Sequence, residues 1–185
     1  NRRLSIGLPA EHNGGEKRFP LTPEGVALLT KEGYRVFVES GAGEGIKYSD
    51  LHYTEAGAQA TTASEVFRCD VVLKITPLNE QEAAMIRPGV FLLTLLQPQY
   101  QSASVVRILM QKKVTAVAID LITDERGRYL FADILDEIDG RAAIVLASEL
   151  LSNRSGGKGV RLGGIPGVAS SEDLIIGGGL AGRAA

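Results

Sequence analysis

Short apolar segments alternate with segments of helical pattern over the first 120 residues, and this alternation constrains the fold more than any other feature. Strand-like patterns occupy 3–8, 34–39, 70–75, 89–96 and 114–120, and helical patterns occupy 22–33, 49–57, 79–87 and 102–113. The third to fifth strand segments are nearly all apolar, as in strands buried on both faces of a parallel sheet. Strands that alternate with helices indicate βαβ crossovers. We predict an α/β fold with a doubly wound, mostly parallel sheet, flavodoxin-like or Rossmann-like.

The pattern changes after Asp120. Residues 134–151 read as one long helix, and 152–173 form a glycine-rich loop. A long helix between two sheets is a natural connector, so we expect the domain boundary near residues 135–150. Residues 1–135 would form the N-terminal, substrate-side domain, and 136–173 the connector.

The last twelve residues match the start of a dinucleotide-binding domain. Leu174 to Ile176 read as a short strand, and Gly177, Gly179 and Gly182 follow at the G-x-G-x-x-G spacing. In that motif the glycines allow a tight turn, close approach to a pyrophosphate, and close packing of helix on strand. The helix, the next strand and the acidic residue about 20 positions later would lie past the last residue. We therefore expect 174–185 to be the truncated start of an NAD(P)-binding domain, and both chain ends to lie within a longer protein.

Composition excludes several classes of function. The net charge of -2 and the scattered basic residues favour no nucleic-acid partner. The longest apolar run, 90–96, is far shorter than the roughly 18 residues of a membrane span. The single cysteine, Cys69, suits a reducing compartment, so we expect a cytoplasmic protein. The acidic run 133–139 is explained by the dipole of a helix N-terminus, and we predict no metal site there.

Several motifs together resemble the N-terminal region of the alanine dehydrogenase and pyridine nucleotide transhydrogenase family. They are EKRFPLTPEGV (16–26), VESGAGEGIKYSD (38–50), DVVLKI (70–75), KKVTAVAID (112–120), GRAA (140–143) and GGKGVRLGGIPGV (156–168). The resemblance implies a first domain that carries substrate groups and an inserted domain that binds NAD or NADP. It also implies a small oxo acid or amino acid as substrate, and a homo-oligomer.

The resemblance assigns two site residues. Arg18 and Lys74 would hold the carboxylate and the carbonyl of an oxo acid, with Lys74 as the catalytic residue. A guanidinium offers two parallel donors to a carboxylate, and an ammonium stabilises the charge that develops as hydride moves. Arg18 has an alternative reading as a solvated loop residue. A lysine at the carboxyl end of a buried strand is costly unless a ligand or partner uses it.

The chain departs from the family at one position of the site. Catalytic members carry a histidine where this sequence has Gln97, and glutamine transfers no proton near neutral pH. The following Pro98 resembles the transhydrogenase subunit, whereas the motif at 156–168 is closer to the alanine dehydrogenases. The two histidines, His12 and His52, both read as exposed or packed residues, although His12 could approach the cleft from its loop.

Three functions follow as alternatives. The favoured one is an NAD(P)-dependent dehydrogenase that resembles alanine dehydrogenase and reversibly deaminates an amino acid to an oxo acid; saccharopine dehydrogenases are a variant of it. The second is the dinucleotide-binding alpha subunit of a transhydrogenase, which exchanges hydride with a nicotinamide in a partner subunit. The third is a non-catalytic dinucleotide-binding module. We expect residues 1–185 alone to be inactive.

Overall fold

The computed structural model describes residues 3–12, 15–97, 101–163, 166–167 and 171–185. The chain forms two compact units, Asn1–Asp120 and Leu121–Ala185. The sequence places the boundary later, between 135 and 150. The excursion that follows Asp120 carries an isolated antiparallel bridge between Thr123 and Tyr129 and joins no strand of the sheet.

The first unit alternates strands and helices. Its strands are β1 (Ser5–Leu8), β2 (Arg35–Glu39), β3 (Gln59–Thr61), β4 (Val71–Leu73), β5 (Phe91–Thr94) and β6 (Thr115–Ala118). Its helices are α1 (Pro23–Lys31), α2 (Asp50–Glu55), α3 (Ala63–Val66), α4 (Glu80–Met85) and α5 (Ala103–Gln111), with short 3₁₀ turns at Glu44–Ile46 and Ile119–Leu121.

The strands form one parallel sheet in the order β3-β2-β1-β4-β5-β6. This order is that of the Rossmann doubly wound fold, in which the chain reverses direction across the sheet beside its first strand. The predicted α/β class is confirmed. The reversal lies between β1 and β4, where Gly7 pairs with Val72. Ligands of open α/β sheets bind in the crevice outside the carboxyl ends of the strands at this point.

Side-chain caps set the helix ends that the sequence predicts. Thr22 accepts a hydrogen bond from the Gly25 amide at the start of α1, and Pro23 occupies the first turn, where a missing N–H costs nothing. Asn79 and Ser102 cap α4 and α5 in the same way. These caps place the N-termini of α4 and α5 at the carboxyl edge of the sheet.

The edge strand β3 and the one-turn helix α3 are absent from the sequence prediction. β3 is only three residues long and lies at the half-exposed edge of the sheet. Its sequence, Gln-Ala-Thr, contains no apolar run that would predict a strand. It forms because Phe37, Val38 and Glu39 of β2 offer it a ladder of backbone partners. A strand so short is defined by its neighbour and not by its own pattern.

Two clusters of buried side chains form the core, one on each half of the sheet. The larger members of the first, around β1 and β2, include Leu8, Phe19, Val26, Val38 and Tyr53. The second, around β4 and β5, is made by Phe67, Val72, Leu78, Ala83, Ile86, Val90, Leu92 and Val105. The carboxyl ends of β1 and β4 therefore project from a packed, rigid base.

The second unit contains a long helix, α6 (Ala132–Leu151), and a short one, α7 (Leu180–Ala184). The two helices approach closely at Gly140, where an added Cβ would overlap the carbonyl group of Ala181. The long predicted helix is confirmed. None of the described helices is long and apolar enough to cross a bilayer.

The predicted strand at Leu174 to Ile176 is wrong: these residues pair with none of the described strands. Leu174 and Ile176 are 87% and 93% exposed. An apolar run becomes a strand only when a neighbour satisfies its backbone N–H and C=O groups. The described residues supply no such neighbour.

Candidate functional site

The candidate site lies where the sheet reverses, in the two loops that follow β1 and β4. Ala10 and Glu11 come shortly after β1, and Lys74 directly follows β4. Because β1 and β4 are paired and parallel, their carboxyl ends meet at the same edge. The next strand joins this edge as well, since Thr94 at the end of β5 donates hydrogen bonds to the carbonyls of Ile75 and Thr76.

Lys74 is completely buried, as the sequence suggested for a lysine at the end of an apolar strand. Its side chain has 0% exposure. The ammonium nitrogen lies 2.6 Å from Glu11 Oε2 and 2.8 Å from Thr76 Oγ1. A third, longer contact reaches the Ala10 carbonyl at 3.5 Å. A buried charge persists only when paired, and these partners satisfy that need.

Glu11 connects the two loops. Its Oε1 accepts a hydrogen bond from the Ile75 amide at 2.5 Å, and its Oε2 accepts from the Thr76 amide at 3.1 Å and from the Thr76 hydroxyl at 2.5 Å. Together with Lys74, these donors surround both carboxylate oxygens. The side chain is 3% exposed. Glu11 therefore holds the chain after β1 against the chain after β4.

Glu82 adds a second buried carboxylate to the cluster. Its Oε2 accepts from the Asn79 amide at 2.9 Å, completing the capping box of α4. Its Oε1 has no hydrogen-bond partner among the described residues, but lies 3.5 Å from the ammonium of Lys74. This contact is an ion pair without a hydrogen bond. One ammonium thus faces two carboxyl groups.

A cavity of about 250 Å³ opens beside this cluster. It is lined by Ala10, Glu11, His12, Glu16, Lys17, Arg18, Glu39, Ser40, Gly41, Ala42 and Gly45. Glu11 is both a wall of the cavity and the partner of Lys74. Arg18 lies in the cavity, while Lys74 lies beneath its surface.

Arg18 makes a two-pronged contact with a carboxylate of its own loop. Its Nε donates to Glu16 Oε1 at 3.0 Å, and its Nη2 donates to Oε2 at 2.7 Å. This hydrogen bonding lowers the pKa of Glu16 below its ordinary value of 4.5, with burial acting in the opposite direction. The Arg18 side chain is 50% exposed, so the guanidinium remains accessible from the cavity.

The two histidines differ in their surroundings. His12 lines the cavity, and its Nε2 lies 3.4 Å from Glu39 Oε1. Glu39 is held in turn by the Ala10 amide, which donates to its Oε2 at 2.8 Å. His52 belongs to the cap of α2, where its Nδ1 accepts from the Ser49 amide. The structural reading of His52 is confirmed, and His12 is the histidine near the site.

Gln97 lies three residues beyond β5, half-buried, with a left-handed backbone at φ 40°. The preceding residue, Leu96, is anchored by its amide to Asp120 Oδ1 at 3.2 Å. Because β5 adjoins β4, Gln97 follows the strand next to the one that carries Lys74. Pro98, which the sequence comparison also used, lies outside the described residues.

The glycine motif has the backbone geometry that its spacing predicts. Gly177 adopts φ 120°, and Gly179 caps α7. An added Cβ at Gly182 would overlap the carbonyl group of Gly177, so the third position admits no side chain. The role of these three glycines in dinucleotide binding stays a prediction. Among the described residues, no group of three or more His, Cys, Asp or Glu could hold a metal ion.

The thiol of Cys69 is buried, and this burial determines its reactivity. Cys69 is 4% exposed, and burial raises the pKa of its thiol to about 11. Such a thiol is not a nucleophile at neutral pH, in agreement with its interpretation as a core residue.

Glu11, Thr76, Glu82 and Glu39 were missed by the sequence analysis. Signals for two of them exist: Asn79-x-x-Glu82 is a capping box, and Glu11 follows a strand at the carboxyl edge. Neither signal predicts an ion pair with Lys74. That contact depends on β1 and β4 being neighbours, although they are more than sixty residues apart in the chain.

Comparisons with known proteins point to one family. The model of the alanine dehydrogenase/PNT N-terminal domain matches residues 7–134, and that of the C-terminal domain of the same family matches 143–185. Alanine dehydrogenase of Geobacillus stearothermophilus is 34% identical over 181 residues, and that of Bacillus subtilis is 35% identical over 184. Each match covers 97% of this chain and 48% or 47% of the relative, so the chain spans about half the length of these relatives.

Solved structures agree with this result. An L-alanine dehydrogenase is 30% identical and superposes with a TM-score of 0.90, covering 98% of this chain and 50% of that one. A transhydrogenase from Sinorhizobium meliloti is 26% identical, with a TM-score of 0.70 over 78% of this chain and 44% of that one.

Proposed function

Because the chain belongs to the alanine dehydrogenase/PNT family, we propose that it provides the substrate-side domain of a nicotinamide-dependent amino-acid dehydrogenase. The proposed reaction is the reversible oxidative deamination of an amino acid to its oxo acid. In the direction of synthesis, an oxo acid, ammonium, NAD(P)H and a proton give the amino acid, NAD(P)⁺ and water.

The observation that carries this proposal is the buried ammonium of Lys74 at the reversal point of the sheet, next to a cavity that contains Arg18. Arg18 already holds the carboxylate of Glu16 through two donors in one plane, and a substrate carboxylate would take the place of Glu16 in the same geometry. Lys74 supplies a positive charge for the carbonyl oxygen, on which negative charge grows during reduction. A small 2-oxo acid has a carboxylate and a carbonyl group on adjacent carbon atoms.

Glu11 separates Lys74 from the cavity in the described conformation. An oxo acid therefore reaches Lys74 only if the chain around Glu11 shifts. The longest bond of the ammonium, 3.5 Å to the Ala10 carbonyl, is the one that a substrate oxygen would replace most easily. We assign Arg18 to binding of the carboxylate and Lys74 to polarisation of the carbonyl.

The glycine motif supports a role for a nicotinamide dinucleotide. Gly177 and Gly179 would let backbone N–H groups approach its pyrophosphate, and Gly182 would let the helix pack closely against the turn. The bound nicotinamide would accept or give up the hydride. Either NAD or NADP fits this part of the motif, because the side chain that discriminates between them follows about 20 residues later.

A transhydrogenase-like function is the second candidate, and Gln97 favours it. A dehydrogenase of amino acids needs a group that transfers protons at the reacting carbon, and an amide does not. A domain that only exchanges hydride with a second nicotinamide has no such need. The non-catalytic module remains the third candidate for the same reason.

The deciding experiment is oxidation of NADH and NADPH by the complete protein that contains residues 1–185, with ammonium and a panel of oxo acids that begins with pyruvate. Turnover with an oxo acid establishes the dehydrogenase. Tight dinucleotide binding without turnover of any oxo acid rejects it, and hydride exchange between NADH and an oxidised dinucleotide analogue would then identify the transhydrogenase type.

Three further proposals concern the molecule as a whole. Residues 1–185 alone would show no saturable NADH binding, and low-micromolar binding in calorimetry would contradict this. The family membership suggests a homo-oligomer, which analytical ultracentrifugation would detect. The lone cysteine, Cys69, is buried and unpaired, which suits a cytoplasmic location.

A further inference from the structure

The strongest feature outside the assigned substrate contacts is the position of Glu11. It touches Lys74 at 2.6 Å, it lines the cavity, and it accepts three hydrogen bonds from the two residues that follow Lys74. With a side chain that is 3% exposed, Glu11 thus makes four charge-assisted contacts between the two loops.

We propose that Glu11 is a positioning residue, which fixes the ammonium of Lys74 directly behind the wall of the cavity by joining the loop after β1 to the loop after β4. This proposal extends the proposed function, since it rests on Lys74 as the group that meets the substrate. Glu11 itself is not assigned to contact the substrate carbonyl.

Only a carboxylate fits the hydrogen-bond donors that surround the Glu11 side chain. Oε1 receives the Ile75 amide, and Oε2 receives the Thr76 amide, the Thr76 hydroxyl and the Lys74 ammonium. Each oxygen must therefore be an acceptor. In a glutamine, one of the two positions becomes an NH₂ donor, which would face another donor whichever way the amide is turned.

The orientation of the Lys74 ammonium also depends on Glu11. A lysine side chain has four rotatable bonds, and burial alone does not choose among its rotamers. Glu11 and Thr76 lie on one side of the ammonium at 2.6 and 2.8 Å, whereas Glu82 lies at 3.5 Å. Without Glu11, the remaining carboxylate is that of Glu82, and the ammonium would turn toward α4.

The first test is kinetic and uses the complete protein. Glu11→Gln should lower kcat for the oxo acid at least tenfold, while the Kd of NADH changes less than twofold. Glu82→Gln removes the same charge but keeps the cap of α4, because glutamine also serves in a capping box, so its effect should be smaller. Glu55→Gln, at an exposed helix end, controls for the chemical change itself. An unchanged kcat in folded Glu11→Gln would overturn the proposal.

The second test does not depend on turnover. Acetic anhydride acylates accessible lysines, and mass spectrometry reads each site. Lys74 should be protected in the parent protein and react at least fivefold faster in Glu11→Gln, whereas exposed Lys31 should react alike in both. Equal protection of Lys74 in the two proteins would overturn the proposal. Absence of oxo-acid turnover in the parent would reject the proposed function, yet leave this measurement decisive for Glu11.

Should Glu11→Gln fail to fold, Glu11→Asp provides the same comparison. It keeps the charge but shortens the side chain by one methylene, so it cannot reach Lys74 and both amides of the β4 loop together. We expect partial protection of Lys74, between the parent and an unfolded control. Full protection with unchanged kcat would contradict a positioning role that depends on this reach.

Discussion

Arg18 holds the carboxylate of Glu16 by two parallel hydrogen bonds, of 3.0 and 2.7 Å. The contact has the geometry with which arginine binds a free carboxylate, and it lies in the cavity next to Glu11. The carboxylate of Glu16 thus fixes the orientation of the guanidinium and occupies two of its donors.

The planar shape of this side chain leads to the first prediction. Arg18→Lys keeps the positive charge but loses the two-pronged geometry, so the KM for the oxo acid should rise at least about tenfold. Steady-state kinetics of the complete protein measures it, with the Kd of NADH as the control. A KM within twofold of the parent value would indicate that Arg18 is a solvated loop residue that does not bind the substrate.

The same contact predicts a change in acid titration. Arg18 lowers the pKa of Glu16 below 4.5. A carboxyl group with a lowered pKa stabilises the folded state above its unfolded pKa, and this stabilisation is lost as the pH falls through the folded pKa. The contact should therefore weaken below pH 4.5 and remain intact at neutral pH.

Arg18→Met should raise the pKa of Glu16 toward 4.5, as measured by ¹³C NMR of the side-chain carboxyl group. Lys17→Met is the matched control, because it removes a neighbouring charge but keeps the backbone N–H that Glu16 uses. An equal shift in both variants would show that general charge, and not the hydrogen bonds of Arg18, governs the titration.

Removal of Lys74 should affect activity and stability together. Lys74→Ala should abolish oxo-acid turnover and leave the Kd of the dinucleotide nearly unchanged. It also leaves Glu11 and Glu82 as buried carboxylates without a cation, which costs about 3–5 kcal/mol in the free energy of unfolding. Urea denaturation measures this loss, and exposed Lys31→Ala should show little of it. Normal turnover in folded Lys74→Ala would dismiss Lys74 as a substrate ligand.

Position 97 offers a gain-of-function test. Histidine tolerates a left-handed backbone better than most residues, so Gln97→His adds little strain at φ 40°. If proton transfer limits the reaction, kcat should rise at least about tenfold and acquire a dependence on pH near 6–7. Gln97→Asn, which also tolerates this backbone, should show neither change. A flat response to histidine would favour the transhydrogenase type.

The buried thiol gives a prediction that tests packing alone. Burial raises the pKa of Cys69 to about 11, so only about one thiol in a thousand is ionised at pH 8. Iodoacetamide should leave the native protein unlabelled over an hour and label it fully in urea. Rapid labelling of the native protein would contradict the packing of β4 in the described structure.

The carboxyl edge of the sheet shows which parts of the site were predictable. Lys74 could be predicted because it is a charged residue at the end of an otherwise apolar strand. The glycine motif at 177–182 could be predicted because its spacing is visible in a few consecutive residues. Glu11 has only the weak signal that it follows a strand, and this does not predict its partner. Its role depends on which strand lies beside β1, and many orders of the strands are compatible with the same alternation of patterns.

The sequence by itself determined five of the six described strands, the helix caps and the α/β class, because periodicity and capping act between residues a few positions apart. It also predicted a strand at 174–176, where apolar character is present but the described residues supply no pairing partner. Tertiary structure decided the contacts that join distant segments: the pairing of β1 with β4, the burial of Lys74 and its bond to Glu11. Hydrogen bonds and ion pairs depend on separation in space, and only the folded sheet brings the carboxyl groups of Glu11 and Glu82 within 3.5 Å of the Lys74 ammonium.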